Sequence, residues 1–398
     1  MKREFLDGAE AIARAAVHAG CDFFAGYPIT PATPILLHMT RELPRIGGVA
    51  IQAEDEIASM GFCIGAALAG RRVLTATSGP GISLYSENIG LAVMGEIPMV
   101  IVDAQRLGPA TGGATTVAQG DVQFLRWGTS GGYPVIVLAP ADVAECYTLT
   151  RKAFDLAERF RVPVFLATDK ETVLSRATVD VDRLEEVPVR ERSTVGNEVP
   201  PEAFLPSAAD APDGVPPMAP FGGPHFLRFT TSTHDEAGYL TKKPEEVDRL
   251  NRRLAAKVEE HREEIELVDR DTAEDADVLV VSYGITAQAA REAVSRLRKE
   301  GARVSHLVIL SLWPVPEAAL RRALQGVRRV VVPELNLGQY RREVERVAGL
   351  ECVADPSGSS PPGGVEIMGV NRVDGELITP TQIMEAVAGA AGPAEVPS

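Results

Sequence analysis

"GVAIQAEDEIASMGFCIGAALAGRRVLTATSGPG", residues 48–81, decides the fold. Two short apolar runs, GVAIQA (48–53) and RVLTAT (72–77), flank a stretch that reads as a helix over 57–70. Strand, helix, strand in that order is the unit of a parallel sheet. The pattern repeats outward. CDFFAG (21–26), PMVIVDA (98–104), YPVIVLA (133–139) and VPVFLAT (162–168) are further strand candidates, and 141–160 reads as a helix. Strands this short and this apolar are buried on both faces. Residues 1–180 therefore read as a doubly wound α/β domain.

Beyond it the pattern changes. Residues 181–275 hold a Pro-, Ala- and Asp-rich excursion without period, then KKPEEVDRLNRRLAAKVEEHREEIELV. There Val247, Leu250, Leu254, Val258, Ile265 and Val268 form one helical stripe. Such a stripe packs on its own domain or on another subunit. A second α/β pattern fills 276–390: DVLVVSYG, a helix from about Ile285, ARVSHLVIL, a helix, VRRVVVPE, a helix from about Gly338, and VEIMGVN. Residues 391–398 read as a flexible tail.

Composition excludes whole classes of function. With 40 basic and 55 acidic residues the net charge is −15, the wrong sign for nucleic acid or an anionic membrane. No apolar run approaches the ~18 residues of a spanning helix, and the start of the chain has no signal-peptide core. Cys21, Cys63, Cys146 and Cys352 form no CxxC pair, and the six histidines form no HExxH or HxH pattern. We therefore expect no metal site made by this chain alone, and a reducing, cytoplasmic setting.

Four segments carry chemistry-bearing residues. GYPITPATP (Gly26–Pro34) has three prolines around Thr30, a rigid turn before a helix or a loop fixed to present that hydroxyl. Glu54, Asp55 and Glu56 open the helix of the quoted stretch, where acids meet the positive end of its dipole. The turn Ser78-Gly79-Pro80-Gly81 has the backbone freedom to hold an anion, yet matches neither GxxxxGK[ST] nor GxGxxG. Arg106 follows a strand end, the edge of an open sheet where ligands bind, and a guanidinium there suits a carboxylate. Glu334 and Asn336, in VPELNLGQ, would cap a helix or contact a neighbour.

Together, YPITPATP, EDEIAS, TATSGPG, ENIGLAVMGEIPMVIVDAQRLGPATGG, AQGD and PELNLGQ resemble the alpha subunit of 2-oxoacid:ferredoxin oxidoreductases, most like the 2-oxoglutarate type. The similarity covers nearly the whole chain, with the motifs in order. It implies a pyrimidine-binding-type domain of a thiamine diphosphate enzyme, followed by a transketolase-C-terminal-like domain. It implies CoA-dependent oxidative decarboxylation of a 2-oxoacid, 2-oxoglutarate to succinyl-CoA by its most similar type, with electrons passed to ferredoxin. A beta subunit would carry the diphosphate, its Mg2+ and a [4Fe-4S] cluster, so this chain alone is expected to be inactive. Separate gamma and ferredoxin-like subunits would complete the complex. By the resemblance Glu56 binds the aminopyrimidine ring, with Ser78 and Gly79 also at the cofactor. Thr30 and Arg106 bind the substrate. Arg126, Arg106, Thr115 and Thr116 are the candidates for a distal substrate carboxylate. Pyruvate or a branched-chain 2-oxoacid as substrate, and a scaffold without chemistry, are the alternatives.

Overall fold

The structure is a computed structural model and describes residues 2–184, 187–208, 212–349 and 365–389. Cys352 and the expected tail at 391–398 lie outside the described residues. From the N-terminus run β1 (Arg3–Asp7), α1 (Gly8–His18), β2 (Phe23–Gly26), α2 (Thr33–Glu42), β3 (Val49–Gln52) and α3 (Glu56–Leu68). Next come β4 (Val73–Thr77), α4 (Gly79–Leu84), α5 (Ser86–Met94), β5 (Met99–Gln105), α6 (Val122–Trp127) and β6 (Ile136–Leu138). Then follow α7 (Val143–Phe160), β7 (Pro163–Asp169), α8 (Lys170–Leu174) and β8 (Arg176–Asp180). The six strand candidates of this region all form strands.

Burial on both faces makes the sheet doubly wound. All of β5 is buried. Val100, Val102 and Ala104 point into one apolar cluster with α1, α2 and α7. Met99 and Ile101 point into the other, with α3 and α5. With successive side chains on opposite faces, such a strand needs cover above and below.

The chain continues with α9 (Pro244–Glu259), β9 (Val268–Asp271), β10 (Val278–Ser282), β11 (Val304–Ile309), β12 (Ser311–Trp313), β13 (Arg329–Glu334) and β14 (Glu366–Asn371). The second sheet has the order β14-β13-β10-β11-β9, parallel except for β9. The main sheet has the order β12-β6-β7-β5-β4-β2-β3. Its first strand comes from the later part of the chain and pairs antiparallel with β6. That edge was not foreseen. Leu279, Val281, Tyr283, Trp313 and Tyr340 join the same apolar cluster as α3 and α5, so the two sheets share one core.

The single helical stripe expected over 247–268 is divided. The helix ends at Glu259; Ile265 closes a short second helix, Arg262–Ile265, and Val268 begins β9. The stripe does pack on its own chain, with Leu250, Leu254 and Val258 buried. Beside them lies a feature that apolar spacing cannot show. Arg253 grips Glu96 through two bonds of 2.7 and 2.8 Å, and Lys257, fully buried, reaches the same carboxylate at 2.8 Å. Burial alone would raise the Glu96 carboxyl. The Lys257 ammonium and the Arg253 guanidinium outweigh it and hold the group well below the ordinary carboxylate range.

Glu96→Gln would leave two buried cations uncompensated. We expect a loss of about 3–5 kcal/mol of stability, read as a lowered denaturant midpoint. A midpoint unchanged from wild type would show that this cluster does not hold α9 in place.

Candidate active site

The site lies at the carboxyl edge of the main sheet, where β2, β4 and β5 end. Glu56 is the first residue of α3, and Asp55 caps that helix by accepting from the Ala58 amide at 2.7 Å. The cap turns the chain so that Glu54 and Asp55 face outward while Glu56 is only 7% exposed. Of the three acids, only Glu56 enters the interior.

Opposite it stands the turn after β4. Gly81 has no room for a side chain. A Cβ there would overlap Thr77 Oγ1 and come within 2.9 Å of Glu56 Oε1. Gly79 has φ +25°, a conformation that side-chain-bearing residues rarely adopt, and its missing Cβ would lie 3.7 Å from Arg106 Cγ. Thr77 Oγ1 and Ser78 Oγ are both buried without a hydrogen-bond partner. Buried hydroxyls normally find partners, so this wall is shaped for something polar that the chain does not itself supply.

Arg106 leaves the end of β5 and is 6% exposed. It donates to the Thr30 carbonyl at 2.7 Å and to the Thr111 carbonyl at 3.1 Å, while its Nε has no partner. Among the described residues no carboxylate lies within 4 Å of it. A buried cation answered only by carbonyls is costly unless an anion completes it. The structure thus brings Thr30, Glu56, Ser78, Gly79 and Arg106 into one continuous wall. Thr30 contributes its carbonyl to Arg106 and leaves its side chain exposed.

The candidates for a distal carboxylate fare differently. Arg126 donates to the Gly132 and Tyr133 carbonyls and stacks on Trp127, 3.9 Å from the ring centroid. Thr116 closes the 107–116 loop by accepting from the Leu107 amide. Thr115, on the same loop, is exposed.

The later part of the chain builds the back of this site. Gln119 spends all four of its polar groups there. Its amide donates to the Leu335 carbonyl at 3.0 Å, and its Oε1 accepts from the Leu335 amide at 3.3 Å. Its carbonyl accepts from Asn336 Nδ2 at 2.7 Å, and its Nε2 donates to the Tyr283 carbonyl at 3.2 Å. Asn336 also takes the amides of Gly338 and Gln339, so it both caps the turn and contacts a neighbour. Glu334 accepts from the Tyr283 hydroxyl and from the amides of Tyr340 and Arg341.

Sequence reading did not single out Thr77, Asp103 or Asp121, which line the same wall. The signals were present: an acid inside the apolar run PMVIVDA, and another closing AQGD. Elsewhere, Asp7, Glu10 and His38 place ligand atoms within 4.8 Å of one another. Asp7 is already engaged in capping α1, and Glu10 in pairing with Arg14.

Residues 14–253 match the family described as pyruvate flavodoxin/ferredoxin oxidoreductase, thiamine diphosphate-binding. Residues 276–383 match pyruvate:ferredoxin oxidoreductase core domain II. The 2-oxoglutarate synthase subunit KorA of Methanothermobacter thermautotrophicus is 42% identical over 96% of this chain and 97% of its own. Its counterpart in Methanocaldococcus jannaschii is 40% identical over 98% and 100%. Among solved structures, 2-oxoglutarate:ferredoxin oxidoreductase from Magnetococcus marinus, with 2-oxoglutarate, coenzyme A and succinyl-CoA bound, superposes with a TM-score of 0.88 at 31% identity. That match covers 98% of this chain, which spans 65% of the other's length. Among the described residues, no helix is long and apolar enough to cross a membrane.

Gly81→Ala should destabilise the chain by about 1–3 kcal/mol, because the new methyl overlaps Thr77. Gly61→Ala, on the open face of α3 with nothing within 4 Å, should be neutral or stabilise by up to ~1 kcal/mol. Thermal unfolding of the two variants separates them. Equal melting temperatures would mean that the Gly81 turn relaxes freely.

Proposed function

The chain belongs to the pyruvate flavodoxin/ferredoxin oxidoreductase family, and we propose that it is the alpha subunit of a 2-oxoacid:ferredoxin oxidoreductase acting on 2-oxoglutarate. One observation carries the reading. Arg106, a buried cation with no carboxylate partner among the described residues, shares a wall with Glu56 and two buried, unpartnered hydroxyls. The cation fits a 2-oxoacid carboxylate, which it can grip through parallel hydrogen bonds. Glu56, Thr77, Ser78 and the glycines of the turn fit the pyrimidine side of thiamine diphosphate. The identity to 2-oxoglutarate synthase subunits supports the choice of substrate.

When bound, thiamine diphosphate supplies a nucleophilic carbon and an electron sink. The chain's own residues supply position and protons. The Glu56 carboxylate, held at the right depth by the Asp55 cap, would accept a hydrogen bond from the cofactor's ring. Arg106 fixes the substrate carboxylate, so the neighbouring keto carbon has one orientation. Thr30, stiffened by the flanking prolines, offers its hydroxyl on the open side. Gly79 and Gly81 keep the wall thin enough for a flat ring to approach.

The rest of the reaction falls to partners. A beta subunit holds the diphosphate, Mg2+ and a [4Fe-4S] cluster; coenzyme A takes the acyl group and ferredoxin the electrons. Separate gamma and ferredoxin-like subunits complete the assembly. Residues 1–180 form the pyrimidine-side domain and residues 276–390 the transketolase-C-terminal-like domain. The charge of −15 directs an acidic ferredoxin to another subunit. Buried, free Cys21, Cys63 and Cys146 suit the cytoplasm.

The test is anaerobic co-expression with the beta partner, following CoA-dependent reduction of a low-potential dye over a panel of 2-oxoacids. We expect turnover with 2-oxoglutarate. Glu56→Gln should lower kcat about 10²–10⁴-fold, and Arg106→Gln should raise KM about 10–100-fold, the worth of a charge-assisted hydrogen bond. Turnover confined to pyruvate or a branched-chain acid would correct the substrate. A cofactor-loaded complex inert to every 2-oxoacid would refute the reading. Thr30→Val with unchanged kcat and KM would remove Thr30 from the site.

A further inference from the structure

Two acids in the same wall have no cation within 4 Å among the described residues. Asp103 is fully buried near the end of β5, and Asp121 stands just before α6. Both Asp103 oxygens and Asp121 Oδ2 are buried without a side-chain donor, and the Gly79 amide is the backbone donor facing Asp103. The two carboxyls are within hydrogen-bonding reach of each other. Two ionised acids are acceptors only and cannot satisfy that arrangement; a proton between them supplies the absent donor.

The pair is held rather than accidental. Asp103 lies in strand register between Thr77 and Ala167. The Asp121 amide donates to Gln105 Oε1 at 3.0 Å, and Gln119, two residues earlier, is clamped by Leu335 and Asn336. Asp121 Oδ2 would lie 4.0 Å from a Cβ on Gly79, the residue that also meets Arg106.

We propose that Asp103 and Asp121 are positioning residues, a carboxyl pair sharing one proton that sets how much of Arg106's positive charge reaches a bound carboxylate. The inference deepens the 2-oxoacid reading and rests on it. Its logic is local charge. The groups around the pair are Arg106, the Gly79 amide, and Glu56 on the far side of Gly81; at the end of β7, Asp169 pairs in register with Gln105. Asp169 is tied to Thr172 and the Ile285 amide. Arg126, on α6, is spent on the Gly132 and Tyr133 carbonyls. With both acids ionised, two negative charges would cancel Arg106 and join Glu56 in repelling an anionic substrate. With both protons retained the substrate carboxylate meets the whole charge of Arg106; with one lost, a single negative charge on the pair offsets part of it. Burial, then the neighbouring charge of Asp121, raises Asp103 well above the usual range. Burial pushes Asp121 up to about 6, against the opposing pull of Asp103 and Arg106. As pH rises through about 6, the pair passes from neutral to a single negative charge, and a second ionisation follows only much higher. A 2-oxoacid is ionised throughout, so a change in its binding across this range comes from the protein.

Two measurements on the co-expressed complex test this. The first is infrared spectroscopy at pH 7, which distinguishes a protonated carboxyl from carboxylates. A buried acid band that disappears in Asp103→Asn is expected; its absence from the wild-type complex overturns the shared proton. The second is KM for the 2-oxoacid as a function of pH. KM should rise above pH ~6, by up to about tenfold per pH unit, with no matching step in kcat. Asp121→Asn should abolish the step, and Asp103→Asn, whose amide donates to Asp121, should move it to lower pH. The same step in Asp121→Asn would overturn the proposal. A complex that turns over no 2-oxoacid refutes the oxidoreductase reading alone, and the infrared band still decides whether the proton is shared.

Discussion

Every polar group of Gln119 is bonded to the later part of the chain, and the site depends on that fact. A loop crossing between two sheets must satisfy its backbone without water, and Leu335, Asn336 and Tyr283 do this for it. The bonds fix Gln119, and with it Asp121 two residues on. That places one acid against another at the end of β5. The second sheet is therefore more than an appended domain. The later part of the chain supplies the back wall of the site, an edge strand of the main sheet, and one side of a shared apolar core.

The front of the site obeys a different constraint. An apolar strand buried on both faces must end somewhere, and its polar residues gather at that end. At the end of β5 this puts Asp103, Gln105 and the next residue, Arg106, within four positions of one another, all buried. The strand core contributes packing, and its terminus carries the charge. Buried charges without partners are costly, and among the described residues this wall holds a cation with no carboxylate within 4 Å and two hydroxyls without partners.

Much of this was legible in advance. Six of the seven strands of the main sheet, the four parallel strands of the second and the helices that follow them are written in short apolar runs and small-residue helices. Glu56 stood out at a helix head and Arg106 at a strand end. Other features were not legible. Glu96, Arg253 and Lys257 are 161 positions apart at their widest, and no local pattern joins them. β12 is three residues long and takes its identity from the strand it pairs with. The stripe over 247–268 kept its apolar spacing across a helix end and into a strand, because both periods bury residues on one side.

The sequence determined by itself which segments would be strands and helices, since apolar periodicity is a local property of the chain. It also determined the family, since ordered motifs survive where single ones are ambiguous. Only the tertiary structure decided which acids face each other, which arginine has no carboxylate within 4 Å among the described residues, and which was spent on its own loop. Arg106 and Arg126 look alike in the sequence, and one is open to a ligand while the other is closed by two carbonyls. Asp103 and Asp121 are eighteen positions apart and meet because the Gln119 contacts bring the loop back to the strand. Charge in a protein interior is governed by distance and burial, and neither is set before the chain has folded.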